Sequence, residues 1–431
     1  MSLMQSNYWP TTISIPAGTT GEFPSSADVA VMGAGFTGLS AARALGKRGA
    51  KVVVLESNTI GWGASSRNGG MVLSGLKLSP ETLQKRYGLD MAREMYATSL
   101  RSIDLVEQIV REENIDCNFS RCGHLEVASK PSHFDSYERV VEFIASKFGH
   151  RLKVIPRNQL KEEIGSSIYF GGLVDETSAG VNPARYVAGL ARAALRAGVA
   201  IYENARVRQI EPTTRGPDRG FAVRTERGSL FVRDLLVATS GYTTAVTHPL
   251  QKKIIPIGSF IIATERLTDS LARELSPRNR MIFDSKHFLH YYRLTPDNRM
   301  LFGGRAAFFP ETKNTIGRSA RILGRDMVEV FPQLRDTPIA YAWGGTLDFC
   351  FDTMPHAGVI NGIHFALGYA GHGVAMATYL GSKMAERMAG SREEIPYATI
   401  PFPGAPLGTY NGRPWFLAFA GAYYKVLDWI S

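Results

Sequence analysis

Cysteine is scarce in this chain: Cys117, Cys122 and Cys350 are the only three in 431 residues. An odd count makes no disulfide framework and fits a reducing compartment, so a cytoplasmic location is expected. Cys117 and Cys122 stand five apart with no second Cys or His pair at zinc spacing, and no metal site is expected. No uncharged apolar run reaches the length of a membrane-spanning helix. The N-terminus lacks a charged segment followed by an apolar one, so no secretory signal is expected. Lys plus Arg exceeds Asp plus Glu by 49 − 39 = 10, yet the basic residues are scattered. Without a basic stripe interleaved with aromatics, no nucleic-acid partner is expected. Internal repeats and low-complexity segments are absent too.

What is present begins with size. A chain of 431 residues exceeds one simple core and predicts two lobes. Its 44% apolar and 20% charged residues are ordinary for a globular protein. The most informative stretch, residues 28–56, reads D-V-A-V-M-G-A-G-F-T-G-L-S-A-A-R-A-L-G-K-R-G-A-K-V-V-V-L-E. A β-branched run (Val29, Val31) enters Gly33-Ala34-Gly35-Phe36-Thr37-Gly38. An Ala-rich helix follows, and a second apolar strand ends at Glu56. Gly33 permits the tight turn, Gly35 lets the backbone approach a pyrophosphate, and Gly38 lets the helix pack closely on the sheet. The helix start offers free N–H groups and a positive dipole end to phosphates. Glu56 stands 18 residues past Gly38, where a carboxylate accepts hydrogen bonds from ribose hydroxyls. The unit reads as a dinucleotide site. By itself it does not separate FAD from NAD, but an acid at position 56 argues against a ribose 2′-phosphate and so against NADP.

The first 27 residues predict an irregular arm. Residues 61–71 (G-W-G-A-S-S-R-N-G-G-M) form a small-residue loop suited to a phosphate or a flat ring. Residues 81–114 carry apolar side chains at three- and four-residue steps and read as helix, as do 132–148, with a strand at 123–128 between them. Asn182 caps a helix that starts at Pro183 and runs to Arg196. Short strands are expected at 200–202, 205–211, 221–225 and 230–232. Residues 235–242 read as a buried strand that returns to the parallel sheet and brings its turn near the cofactor. Residues 254–264, 288–294 and 299–304 read as β, with a turn at 295–298 and a helix at 318–331. A strand at 363–367 leads through a second glycine-rich loop, Gly368-Tyr369-Ala370-Gly371-His372-Gly373, into a helix at 374–389. The apolar run at 415–424 is expected to pack back on its own protein.

Four stretches together resemble the FAD-dependent glycine/D-amino-acid oxidase (DAO) superfamily. They are 33–38, 61–70, 341–355 (Y-A-W-G-G-T-L-D-F-C-F-D-T-M-P) and 368–373. The nearest likeness within it is to γ-glutamylputrescine oxidase-like amine oxidoreductases, whose G-x-G-A-S-G-R-N-G-G is similar to residues 61–70. Thr264-Glu265-Arg266-Leu267 and 291–299 (Y-Y-R-L-T-P-D-N-R) are similar to that group as well. The likeness runs from about residue 27 to the Pro-Phe-Pro at 401–403.

The resemblance implies an enzyme, a flavin-dependent amine oxidoreductase, and an oxidase in preference to a dehydrogenase. Bound FAD takes a hydride from the carbon beside an amine nitrogen, and the imine hydrolyses. The implied fold is α/β: a Rossmann-like FAD-binding domain with a second, mixed-sheet α+β substrate domain. The FAD domain would combine 1–90, 165–250 and 340–431; the substrate domain would combine 91–164 and 251–339. The implied partners are a small-molecule amine and O2 or another electron acceptor. N-methyl or D-amino-acid oxidation or dehydrogenation, a nicotinamide dehydrogenase and a non-catalytic flavin-binding subunit of a complex stay open.

Site residues carry over by position. Gly33, Ala34, Gly35, Phe36, Thr37, Gly38, Glu56 and Ser57 would hold the ADP half. Ala64, Ser65, Arg67, Asn68, Gly69, Gly70 and Met71 would follow the pyrophosphate and the isoalloxazine ring. Val207 would contact adenine, and Thr239, Ser240 and Gly241 would flank the cofactor. Gly368, Gly371, His372, Gly373 and Val374 would present a helix start to the N1–C2=O edge, where reduced flavin is negative. Tyr292, Arg293 and His372 are the catalytic candidates, though only one of Tyr291 and Tyr292 can face a substrate. Trp343 either roofs the flavin or fills the interface between lobes. Relatives that bind FAD covalently carry a cysteine where this chain has Gly345, with Cys350 out of register, so non-covalent FAD is expected. Leu347 stands where α-amino-acid oxidases place a carboxylate-binding Arg. That favours amines, unless Arg293 or Arg305 substitutes. Sarcosine-oxidase relatives place an oxygen-activating lysine on the strand matching 254–264, which has none; Lys252 and Lys253 precede it.

Overall fold

The βαβ unit forms where the fingerprint puts it. The structure, a computed structural model, describes residues 3–304, 312–412, 414 and 416. The strand Ser26–Met32 runs into the helix Phe36–Gly46, and the strand Val52–Leu55 returns parallel to the first, Val31 opposite Val54. Both strands are covered on two sides, as parallel strands must be. Val29, Val31, Val52 and Val54 enter the core beneath the helices. Ala30, Met32, Val53 and Leu55 enter a second core against the hairpin Val207–Arg215 and Asp218–Thr225. The strand Ser229–Val237 lies parallel on the other side of Ser26–Met32, followed by Ile363–Leu367 and His356–Ile360. Its chain return therefore delivers the turn after Val237 beside the fingerprint turn.

Among the described residues the second sheet has eight strands. Their order is Ile339–Cys350, Ile254–Thr264, Met300–Gly304, His290–Leu294, Met281–Asp284, His124–Val127, Gly171–Asp175 and Lys153–Pro156. Side chains alternate across it. Leu125, Val127, Phe260, Ile262, Ile282, Tyr292 and Phe302 pack under the helix Lys313–Val330, with Leu323 and Met327. The opposite face carries His124, Glu126, Phe283 and Tyr291, all half-buried, and meets the nucleotide-binding lobe. The mixed α/β architecture is as expected. Two observed strands from the segments expected to form the FAD-binding domain, Gly171–Asp175 and Ile339–Cys350, hydrogen-bond within the second sheet.

Several element boundaries differ from expectation. Residues 81–114 form two helices, Pro80–Tyr87 and Leu89–Glu112, broken at Gly88, whose φ of +81° leaves the helical region. The strands expected at 230–232 and 235–242 are one, Ser229–Val237, which ends five residues earlier than expected. Its interrupting charges, Arg233 and Asp234, pair with each other at 3.2 Å. The N-terminal arm is irregular apart from one turn at Trp9–Thr12, yet it is docked: Tyr8 and Trp9 are buried, and the backbone of Met4 bonds to those of Ala340 and Ala342. The helix at Pro183–Arg196 is capped as expected, the Asn182 side chain accepting from the Arg185 N–H. No described helix is long and apolar enough to cross a membrane. The expectation for 415–424 falls, but for Phe416, outside the described residues.

Candidate active site

A cavity of about 420 Å³ opens where five segments meet: the fingerprint turn, the loop 61–70, the turn after Val237, the strand Ile339–Cys350 and the second glycine loop. Fifteen of the expected cofactor residues line it: Gly33, Gly35, Phe36, Thr37, Glu56, Ser57, Ala64, Ser65, Asn68, Val207, Thr239, Ser240, Gly371, Gly373 and Val374. The structure thus brings together parts of the chain more than 300 residues apart.

The fingerprint glycines are sterically required. A Cβ at Gly38 would stand 1.9 Å from the Gly33 carbonyl oxygen, and one at Gly33 would stand 2.8 Å from the Ala238 oxygen at a φ of +104°. A Cβ at Gly35 would meet the Ser65 hydroxyl at 2.7 Å. That hydroxyl accepts the Phe36 N–H at 2.9 Å, the bond a phosphate oxygen takes at such a helix start. The helices Phe36–Gly46 and Gly373–Met388 both begin at the cavity, and neither start is capped by the side chain of its own N-cap residue. Their free N–H groups and dipoles therefore favour anionic groups there. The two helices pack closely because Gly381 lies against the Thr37 backbone, where a Cβ would be 2.2 Å from the Thr37 oxygen. Thr37 Oγ1 also shares a buried 2.7 Å hydrogen bond with the Tyr369 hydroxyl, joining the two glycine loops. Glu56 is held at the strand end by the Ala34 and Asn58 N–H groups, each at 2.8 Å, and faces the cavity. This set of donors, carboxylate and glycine-only spaces fits a flavin adenine dinucleotide.

The remaining expected residues shape the wall from behind. Ala34 donates to Glu56, and Gly38 packs under the turn. Arg67 lies 4.8 Å over the Trp62 ring and donates to the carbonyls of Trp62 and Gly344. Asn68 Oδ1 accepts the Gly70 N–H at 2.7 Å, and Met71 opens a short strand against Gly180. A Cβ at Gly69 would touch the Tyr291 ring at 3.3 Å, one at Gly241 would meet the Leu347 oxygen at 2.9 Å, and one at Gly345 would meet the Arg67 Cβ at 3.3 Å. Gly368 covers the Cys350 thiol, which is buried.

Two residues that sequence reasoning missed, Asp348 and Trp9, hold this wall in place together with Trp343. Buried Asp348 accepts the N–H groups of Gly368 at 2.6 Å and Tyr369 at 3.2 Å, fixing the second glycine loop. Burial pushes its carboxyl up to about 6 against those two hydrogen bonds. The Trp9 indole donates to the Asn68 oxygen at 2.9 Å, and the Trp343 indole donates to the Arg67 oxygen at 3.0 Å. Trp343 is buried with Tyr8, Trp9 and Ile261, so it fills the interface and does not roof a ring. Nothing in the arm's composition signals the role of Trp9.

Two of the three catalytic candidates are corrected. Tyr292 is fully buried on the far face of the second sheet, stacked on Phe302 at 5.4 Å and donating to the Tyr169 hydroxyl. The strand's alternation turns Tyr291, not Tyr292, toward the nucleotide lobe. Arg293 is buried, and its guanidinium donates to the carbonyls of Gly70 and Val181 at 3.0 Å each and of Leu294 at 3.1 Å. Burial lowers it to about 10, and it serves the backbone. Arg305 lies outside the described residues. His372 stands at the helix start between two lining glycines. Among the described residues its Nδ1 is buried without a hydrogen-bond partner. Burial, with the charges of Lys77 and His124, pushes it down to about 3, so its ring is neutral.

Comparison with known proteins agrees with this geometry. Residues 28–387 match the family model described as DAO, FAD dependent oxidoreductase. The chain is 34% identical over 412 residues to a probable oxidoreductase, OrdL, of Haemophilus influenzae, with 93% of this chain and 92% of that protein covered. It is 33% identical over 404 residues to gamma-glutamylputrescine oxidoreductase of Escherichia coli, with the same coverage. Its fold is similar to the crystal structure of glycine oxidase from Geobacillus kaustophilus, with a TM-score of 0.71 at 19% identity over 89% of this chain and 99% of that one.

Proposed function

Since the chain belongs to the DAO family of FAD-dependent oxidoreductases, we propose that its cavity holds FAD non-covalently and that the enzyme oxidises the C–N bond of an amine. The amine is γ-glutamylputrescine-like or another primary or secondary amine, and O2 is the expected electron acceptor. The observation that carries this reading is Leu347 in the cavity wall. By resemblance, an α-amino-acid oxidase needs a guanidinium at that place, and Arg293 is engaged with backbone carbonyls. An apolar wall there suits an amine without an α-carboxylate beside the reacting carbon.

FAD bound there would supply a hydride acceptor for the carbon beside the amine nitrogen, and water would hydrolyse the imine to a carbonyl and a free amine. The protein's part is placement and charge. Glu56 would take the ribose hydroxyls, and the start of the helix Phe36–Gly46 with Ser65 would hold the pyrophosphate. The start of Gly373–Met388, with its N–H groups at the cavity, would offset negative charge on a reduced cofactor held there. No cysteine is among the lining residues, which supports a non-covalent cofactor.

The test is an anaerobic bleaching screen of the purified yellow protein against polyamines, γ-glutamylated amines, N-methyl amino acids and D-amino acids. Bleaching by γ-glutamylated amines or polyamines is expected, with rates that rise with pH because only the neutral amine loses hydride. Bleaching by D-amino acids alone, or by nothing, would overturn the substrate reading. Acid precipitation is expected to leave the colour in solution; a yellow pellet would overturn the non-covalent one.

A further inference from the structure

The loop between the strands Ala200–Tyr202 and Val207–Arg215 is tied by its backbone to the end of Val52–Leu55. The Glu56 N–H donates to the Tyr202 oxygen at 2.9 Å, the Asn204 N–H to the Asn58 oxygen at 2.9 Å, and the Ala205 N–H to the Glu56 oxygen at 2.7 Å. The Glu203 carboxylate accepts the Ile60 N–H at 2.7 Å. Asn204 turns the chain at a φ of +51°, which asparagine tolerates. Residues 205–207 are therefore held beside Glu56, the acid at the ribose end of the cavity. Ala205 and Val207 are buried, and Arg206 between them is exposed.

Exposed as it is, Arg206 lines the cofactor cavity. Among the described residues that line it, Arg206 is the only Lys or Arg, while Glu56 and Asp348 are the acids. Its guanidinium makes no hydrogen bond, ion pair or ring contact among the described residues. Nearby arginines are engaged. Arg208 pairs with Glu226, and Arg227 lies 5.4 Å over the Tyr202 ring and donates to the Glu203 oxygen at 3.2 Å. A long cationic side chain without a partner at the rim of a cavity is placed for what the cavity receives.

We infer that Arg206 lays the plane of its guanidinium on the adenine ring of the bound dinucleotide and covers the nucleotide end of the cavity. This rests on the FAD reading above and is independent of which substrate is oxidised. The other anchors are assigned by their places. The start of the helix Phe36–Gly46 with Ser65 would hold the pyrophosphate, and Glu56 the ribose. The next group outward along the nucleotide is the base, at Val207. Val207 would serve the polar edge of the adenine, which leaves its π-face to be covered.

No lining aromatic serves that face. Phe36 packs on Tyr186 at 5.2 Å, and Tyr369 is bonded to Thr37. Trp62 and Tyr242 pair with each other at 5.5 Å, and the Tyr242 hydroxyl accepts the Thr346 N–H from the strand Ile339–Cys350. Beside Val207 the wall is Leu55, Ser57, Asn58 and Thr247, the last from a turn packed on the strand that Val207 opens. None of these is a ring. A guanidinium is planar and weakly hydrated and stacks on a ring face, whereas a lysine ammonium offers a point charge. Arg206 thus supplies the flat surface that this end of the cavity otherwise lacks.

The experiment measures the FAD dissociation constant of the wild type, Arg206→Ala and Arg206→Lys, from flavin released on serial dilution of the holoenzyme at low and at high salt. Arg206→Ala should hold FAD about tenfold more weakly. Arg206→Lys keeps the charge but not the plane, and should recover less than half of that loss at either salt concentration. Wild-type affinity in Arg206→Ala overturns the inference. So does full recovery in Arg206→Lys, or a loss that vanishes in high salt, since either would put the charge to work on a phosphate. The melting temperature of the flavin-free protein should be the same in all three, because an exposed side chain without partners supports nothing in the fold. A fall in Arg206→Ala would assign the residue to the fold and overturn the inference. A wild type that holds no FAD sinks the cofactor reading and the inference together; a wild type that holds FAD beside unaffected variants sinks the inference alone.

Discussion

A methyl group at Gly38 would press on a backbone oxygen that belongs to the neighbouring glycine turn, so neither partner can swing away. Gly38→Ala is therefore expected to lose about 1–3 kcal/mol of stability and to purify with little flavin. Thermal unfolding and the ratio of flavin to protein absorbance check this; a stable, fully yellow variant would show that the turn can widen. At this scale the chain was legible wherever the chemistry is local. The roles of Gly33, Gly35 and Gly38 follow from spacing, because a strand, a turn and a helix start are contiguous in sequence. Tyr291 and Tyr292 were not separable, because neighbouring strand residues face opposite ways and only the packing of the helix Lys313–Val330 says which face is core. Asp348 was missed for a related reason: its partners, Gly368 and Tyr369, are about twenty residues away.

At the level of elements, His290 ties that helix to the second sheet. Its ring reaches Asp284 Oδ2 and Asp326 Oδ2, each at 3.3 Å. Burial alone would lower the imidazole, but the two carboxylates overcome it and hold it at about 9 against an ordinary 6.5. The folded protein thus binds this proton more tightly than the unfolded chain does. The stabilisation is complete below pH 6.5 and is lost as pH rises toward 9, at up to about 1.4 kcal/mol per pH unit. His290→Gln should be less stable at the acidic end of that window and lose the slope across it, read from urea unfolding at several pH values. A variant that keeps the wild-type slope would assign the effect elsewhere. Element types were mostly readable from periodicity, but not their extents. Gly88 breaks a continuous apolar stripe, and Arg233 with Asp234 interrupts a strand in sequence without interrupting it in space.

Across the whole molecule, the N-terminal arm crosses to the cofactor loop. Trp9 is fully buried, and its indole fixes the Asn68 carbonyl beneath the cavity. Trp9→Ala should cost about 3–5 kcal/mol and weaken flavin retention through gel filtration. Trp9→Phe keeps much of the packing but not the hydrogen bond, and should recover more stability than flavin. Equal recovery of both would mean that Asn68 needs only the packing.

The sequence by itself determined the dinucleotide unit, because every part of it is a short-range pattern: alternation in the strands, free N–H groups at the helix start and glycines where no Cβ fits. The tertiary structure alone decided what surrounds that unit. It set Leu347 in the cavity wall and left Tyr292 and Arg293 out of it. Such groupings depend on which sheet face turns toward the other lobe. A shift of one residue in register reverses that face, and no local signal in the chain specifies it.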